Sequence, residues 1–168
     1  MQNNKIMRCL LATFLCFMAV VSQAWAAKSD KNMIERGKYI VRLGGCNDCH
    51  TDGYLMNEGK TPVSEWLKGS SFGWRGPWGT TYPSNLRLFI KNLSEKQWIK
   101  QAKTLKRRPP MPWFNLNEMS KSDLRAVYHF IKSLGEPGNQ APAYIPPGQE
   151  PPMPYASFPA PPPAQSDK

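Results

Sequence analysis

The apolar positions of this chain recur most clearly in its second half. Leu124, Val127, Ile131 and Leu134 fall at helical spacing, with Phe130 on the flank. Ser120 stands before them as an N-cap, and Asp123 sits where a capping-box acid belongs. Met119 and Leu124 can close a hydrophobic staple, and Gly135 with Pro137 stops the helix. A second helix starts at Ser94. Gln97 completes its capping box, Leu93 and Trp98 can staple it, and Trp98, Ala102 and Leu105 mark its buried stripe before Pro109-Pro110. An earlier helix spans about Lys31 to Leu43, with Ile34, Gly37 and Val41 along one face. A glycine inside a helix costs about 1 kcal/mol against alanine, so Gly37 points to a close approach by another helix. Between Thr51 and Asn92 no period persists. That stretch reads as loop rich in Gly, Ser and aromatics, with Thr61-Pro62 a candidate start for a short helical turn. The pattern predicts an all-α domain of three to four helices with long loops. Loops of that length need something in the interior to pack on.

Both flanks differ from this middle. At the N-terminus, Lys5 and Arg8 form a basic head, Cys9 to Val21 is apolar, and Ala24-Trp25-Ala26 has the small-x-small form that precedes cleavage. Residues 1–26 therefore read as a secretory signal; the bland alternative is an uncleaved anchor, for which the apolar run is short. Beyond Glu136 the chain holds eleven of its 17 prolines. Residues 136–168 predict an extended or partly disordered tail, because polyproline II segments build no core. That tail is either a loose tether or, since Tyr144, Tyr155 and Phe158 punctuate it, a strap or docking segment. The packed domain is placed at 27–135.

Composition narrows the class. The 168 residues carry 22 basic against 12 acidic side chains, a net charge of +10, yet only 20% are charged and 11% are aromatic. That is not the profile of a disordered chain. No apolar run is long enough for a multi-pass membrane protein. Loss of the signal would also remove Cys9 and Cys16, leaving Cys46 and Cys49 in an oxidising, exported compartment.

Those two cysteines carry the chemistry. Cys46-Asn47-Asp48-Cys49-His50 is the attachment pattern for a c-type haem. Residues three and four apart share a helical face, so both thiols can bond one porphyrin while His50 turns its imidazole under the iron. The alternatives are a Cys46–Cys49 disulfide or a dithiol, which normally sits beside a βαβ pattern absent here. Zinc would need more ligands than one further histidine offers. The sixth iron ligand decides the function, since an open site favours gas binding or peroxidase chemistry. His129 falls opposite the apolar stripe of its helix and reads as a surface residue. Met56 lies too close to His50, Met119 reads as a staple, and Met153 lies in the tail. Met111, flanked by Pro109, Pro110 and Pro112, sits on a stiff loop able to hold a weak thioether at the iron; the bland alternative is a core methionine.

With these residues in place, the stretch from Ile34 to Leu134 resembles class I cytochrome c. The resemblance implies one covalently attached haem c, with Cys46 and Cys49 as thioethers and His50 and Met111 as axial iron ligands. It also implies that the first and last helices cross at Gly37 and at Phe130 or Tyr128. The run Gly79-Thr80-Thr81-Tyr82-Pro83-Ser84-Asn85 is similar to a Gly-Thr-x-Tyr-x-x-Asn segment in cytochrome subunits of bacterial membrane-bound dehydrogenases. Those subunits usually carry three haem modules, and this chain has one attachment motif. The family orients its axial histidine through a proline carbonyl, for which Pro62 stands at a suitable distance.

The function expected is one-electron transfer by an exported, periplasmic carrier that is not itself catalytic. Lys91, Lys96, Lys100, Lys103, Lys106, Arg107 and Arg108 precede Met111. They form either a rim that steers a redox partner with an acidic docking surface or simply a solvated face. The basic face or the Pro-rich tail could also hold the protein to a membrane or a complex. Nucleic acid is a poor partner for an exported haem protein. Two rivals remain: a subunit docked on a larger dehydrogenase or oxidase complex, and a haem protein with a displaceable sixth ligand acting as ligand sensor or peroxidase.

Overall fold

The computed structural model describes residues 30–159; the expected secretory signal at 1–26 and the last nine residues lie outside the described residues. A first helix, α1, ends at residue 43 after starting at or before residue 30. Two glycines, 44 and 45, then turn the chain into the short helix α2 (Cys46–His50). A 3-10 turn covers Val63–Glu65. Two strands, β1 (Gly73–Gly76) and β2 (Gly79–Thr81), precede four helices: α3 (Leu86–Lys91), α4 (Glu95–Thr104), α5 (Trp113–Glu118) and α6 (Lys121–Ser133). A last strand, β3 (Tyr155–Ser157), lies beyond them.

The crossing of α1 and α6 has a steric cause. A Cβ on Gly37 would lie 2.0 Å from the Ala126 carbonyl oxygen and 2.6 Å from Phe130 Cβ. Only a hydrogen fits between these helices, so glycine's propensity cost is offset by direct backbone contact. Phe130, rather than Tyr128, is the aromatic at that crossing. Val41 from α1 and Leu124, Ala126, Val127 and Ile131 from α6 bury around it. Trp66 lies within 6.0 Å of Phe130 in an edge-on arrangement, adding a large buried ring worth about 2–3 kcal/mol.

The caps follow the sequence with one exception. Ser94 and Gln97 form a full capping box on α4. Trp98 of α4 sits in the core and donates its indole N–H to the Leu124 carbonyl at 2.8 Å, tying α4 to α6. On α6, Ser120 accepts from the Asp123 amide at 3.1 Å. The Asp123 carboxylate does not return to the cap; Arg36 of α1 takes it at 3.0 Å. His129 is likewise partnered, 2.9 Å from Glu95, at the surface of α6.

The region from Thr51 to Asn92 holds more regular structure than its sequence pattern predicts. β1 and β2 form an antiparallel hairpin closed at Gly76 and Gly79. β3 adds in parallel on the other side of β1, pairing Gly73 with Tyr155 and Arg75 with Ser157, so the sheet order is β2-β1-β3. Three- and four-residue strands rich in glycine carry no readable alternation. The helix α3 escapes notice because six residues are too few to display a period, although Asn85 caps it through the Leu88 amide at 3.0 Å.

Arg87, at the start of α3, is 4% exposed and donates to main-chain carbonyls rather than to a carboxylate. Its five N–H groups go to five main-chain carbonyls: Trp66, Leu134, Glu136, Val63 and Ser64. The planar guanidinium thus fastens the end of α6 to the 3-10 turn, and every donor it has is used. Burial pulls its pKa down, and Glu65 opposes that pull.

From Pro137 to Pro159 the chain runs extended along the domain. The Pro137 and Asn139 carbonyls accept from the Asn85 side chain at 2.6 and 2.8 Å. Ile145 exchanges both main-chain hydrogen bonds with Thr80, at 2.8 and 3.0 Å. Phe158 packs against Trp74 and Trp78.

Candidate haem-attachment site

The short helix α2 exists because Gly45 takes a left-handed conformation (φ 67°) that reverses the chain out of α1. One helical turn then sets Cys46 and Cys49 on a common side. Both thiols are free. Burial pushes the Cys46 thiol up to about 11, and burial, aided by Asp48, raises that of Cys49.

His50 is 8% exposed, and its Nδ1 lies 2.7 Å from the Ser84 carbonyl oxygen. A carbonyl only accepts, so Nδ1 carries the proton and Nε2 keeps a bare lone pair, the form required of a metal ligand. Burial lowers the imidazole pKa, and the Ser84 bond opposes it. The first effect keeps the ring neutral, and the second fixes its tautomer and plane. The Pro62 carbonyl is not the orienting group. It accepts the Glu65 amide in the 3-10 turn, while Ser84 reaches His50 because the hairpin returns the chain to α2.

Around the histidine the backbone is held on both sides. Gly69 donates to the His50 carbonyl at 2.8 Å. Thr51 donates its hydroxyl to Asn47 Oδ1 at 2.8 Å and accepts the Leu67 amide at 2.8 Å. Asn47, a free position of the attachment pattern, is fully buried. Sequence reasoning passed over Asn47, Thr51 and Ser84. Asn47 and Thr51 look like ordinary polar residues beside a helix, and Ser84 acts only through its main chain, which no side-chain pattern can announce.

Met111 lies in the connection between α4 and α5, partly buried, with its carbonyl accepting the Trp113 amide at 2.9 Å. Met56, by contrast, is 88% exposed. The connection carrying Met111 is fixed to the sheet: Thr81 donates its hydroxyl to the Pro109 carbonyl at 2.8 Å, and the Arg108 guanidinium stacks 3.8 Å over the Tyr144 ring.

The residues present fit a covalent haem. Two unpaired thiols stand one turn apart, next to a buried, neutral histidine with Nε2 available. Among the described residues no group of three or more His, Cys, Asp or Glu side chains could hold a bare metal ion. Asn47 Nδ2, Trp78 Nε1 and Tyr82 OH are buried without a hydrogen-bond partner among the described residues. Buried donors normally find acceptors, and a porphyrin with its acidic substituents supplies such acceptors.

Comparisons with known proteins agree. The chain is 26% identical over 157 residues to "Alcohol dehydrogenase (quinone), cytochrome c subunit" from Gluconacetobacter polyoxogenes and to its namesake from Komagataeibacter europaeus, covering 82% of this chain and 30% of each relative. It is 30% identical over 132 residues to the same subunit of Gluconobacter oxydans strain 621H, covering 72% of this chain and 26% of the relative. The chain thus spans less than a third of the length of the curated relatives it matches. No family model matches the chain, and no solved structure matches it. A mostly helical fold that carries Cys46, Cys49 and His50 on one short helix, together with these relatives, makes the chain similar to a single module of the cytochrome c subunits of quinone alcohol dehydrogenases, on a class I cytochrome c-like fold.

Proposed function

We propose that this protein carries single electrons through one covalently attached haem c, as an exported cytochrome working with a membrane-associated dehydrogenase. The observation that carries the reading is the His50 geometry: a buried imidazole whose Nδ1–H is held by the Ser84 carbonyl, directly after two free thiols. A bound haem supplies the one-electron couple of its iron. Cys46 and Cys49 would hold the porphyrin by thioethers, and His50 would offer its unprotonated Nε2 to the iron. Met111 would be the second iron ligand, and its thioether would raise the reduction potential relative to a histidine ligand alone. With His50 and Met111 both held by the chain as iron ligands, the site would pass electrons without binding a substrate.

The partner is another redox protein with an acidic face. From residue 92 to residue 117 Glu95 is the only acidic residue, and it already faces Arg125 and His129. Lys96, Lys100, Lys106, Arg107 and Arg108 are exposed on this uncompensated stretch leading to Met111. Among the described residues no helix is long and apolar enough to cross a membrane. This basic face suits association with a membrane enzyme, as does docking of the domain on a larger subunit.

The test is the optical spectrum of the exported protein, oxidised and reduced. The ferric form should show the weak red band of a thioether–iron bond, and Met111→Ala should abolish it while leaving the covalent haem in place. A high-spin spectrum in the unmutated protein would instead identify a haem protein with an open sixth position.

A further inference from the structure

The Pro-rich segment after α6 touches the neighbours of both axial ligands. On the histidine side, the Pro137 and Asn139 carbonyls accept from Asn85, the residue next to the Ser84 whose carbonyl orients His50. Seven residues of extended chain later, Tyr144 donates its hydroxyl to the Trp78 carbonyl at 2.8 Å, and Ile145 bridges to Thr80 of β2. There Tyr144 also lies under the Arg108 guanidinium at 3.8 Å, while Thr81 of the same strand holds Pro109. Arg108 and Pro109 lead directly into Met111. A Cβ on Gly79 would lie 2.4 Å from the Ile145 carbonyl oxygen, so the sheet has a glycine where the segment crosses it.

We infer that residues 137–145 act as a brace that keeps Met111 at the iron, with Tyr144 and Arg108 as its positioning residues. The inference rests on His50/Met111 ligation as proposed above. A thioether is a weak iron ligand and stays bound only if its loop loses little entropy in staying closed. Helix packing does not restrain the segment between α4 and α5 at Arg108 and Pro109; the strap and β2 do. A cation–π contact at this distance, once removed, frees the loop to open by about tenfold in its equilibrium.

The experiment uses the full exported holoprotein and carbon monoxide as a probe of the ferrous sixth position. Tyr144→Ala and Arg108→Gln should each weaken the ferric thioether band and lower the carbon monoxide concentration needed for half-saturation about tenfold. The double variant should be no more open than the stronger single one, because both remove one shared contact. Phe158→Ala, at the far end of the strap, should lower the unfolding midpoint without raising carbon monoxide affinity. The brace is overturned if Tyr144→Ala and Arg108→Gln bind carbon monoxide as the parent does, or if Phe158→Ala opens the site equally. If the parent itself lacks the thioether band, the ligation assignment fails first, and the brace falls with it.

Discussion

Single atoms decide several features of this molecule. The hydrogen that Gly37 presents to α6 is one, since a methyl group there meets main chain and has nowhere to move. Gly37→Ala should cost roughly 3 kcal/mol through forced separation of α1 and α6, read as a lowered denaturant midpoint at unchanged slope. An unchanged midpoint would mean that the two helices do not touch there. Arg87 makes a second residue-scale case. Lysine keeps the charge but has three donors on one atom, against five spread over a plane. Arg87→Lys should leave buried carbonyls unpaired and cost roughly 2–4 kcal/mol, measured by chemical unfolding. A loss below a few tenths would show that water replaces those bonds. The Cys46–His50 attachment pattern and the buried stripe of α6 are legible in the sequence because they lie in side chains at fixed spacing. Ser84 and Arg87 are not, because their work depends on carbonyls brought in from distant segments.

At the scale of elements, helices of ten or more residues declare themselves by period and cap, as α4 and α6 do. Short elements borrow their stability from contacts and show little of it locally. β3 is the clearest example. Its end is secured by Glu150, which accepts from the Tyr155 hydroxyl at 2.5 Å and pairs with Arg75 of β1 at 2.6 Å. The Tyr155 bond, then Arg75, holds the Glu150 pKa below the usual carboxylate range. A lowered carboxylate pKa stabilises the folded arrangement above its ordinary value and loses that contribution as pH falls toward the lowered one. Hydrogen exchange at the Phe158 amide, which donates to the Arg75 carbonyl at 2.7 Å, should therefore speed up as the solution is acidified through the carboxylate range. Correction for the intrinsic pH dependence of exchange isolates the effect. Glu150→Gln should flatten it, and a pH response surviving in that variant would assign it elsewhere.

For the whole molecule, charge distribution matters more than any one contact. The uncompensated stretch on α4 and the following loop should raise the encounter rate with an acidic redox partner, and salt should suppress the gain because exposed charges are screened within about 10 Å at 0.1 M. Reversing Lys100, Lys106 and Arg107 to glutamate should reduce the second-order electron-transfer rate at low ionic strength by roughly tenfold or more and remove its salt dependence. Stopped-flow oxidation of the reduced protein by an acidic acceptor measures both. Rates that ignore the reversal would relegate the cluster to solubility.

What the sequence by itself determined is local. It contains the Cys46–His50 turn with the haem-attachment pattern, the three long helices with the caps of α4 and α6, and the glycine that lets two of them cross, since each depends on spacing within one segment. Only the tertiary structure decided which carbonyl orients His50, where the Asp123 carboxylate goes and that Arg87 bridges five main-chain groups. The same holds for the proline-rich chain, which lies against the hairpin and the loop of Met111. Those outcomes turn on hydrogen-bond partners far apart in the chain, and their identity is set by how the helices and the small sheet close on one another.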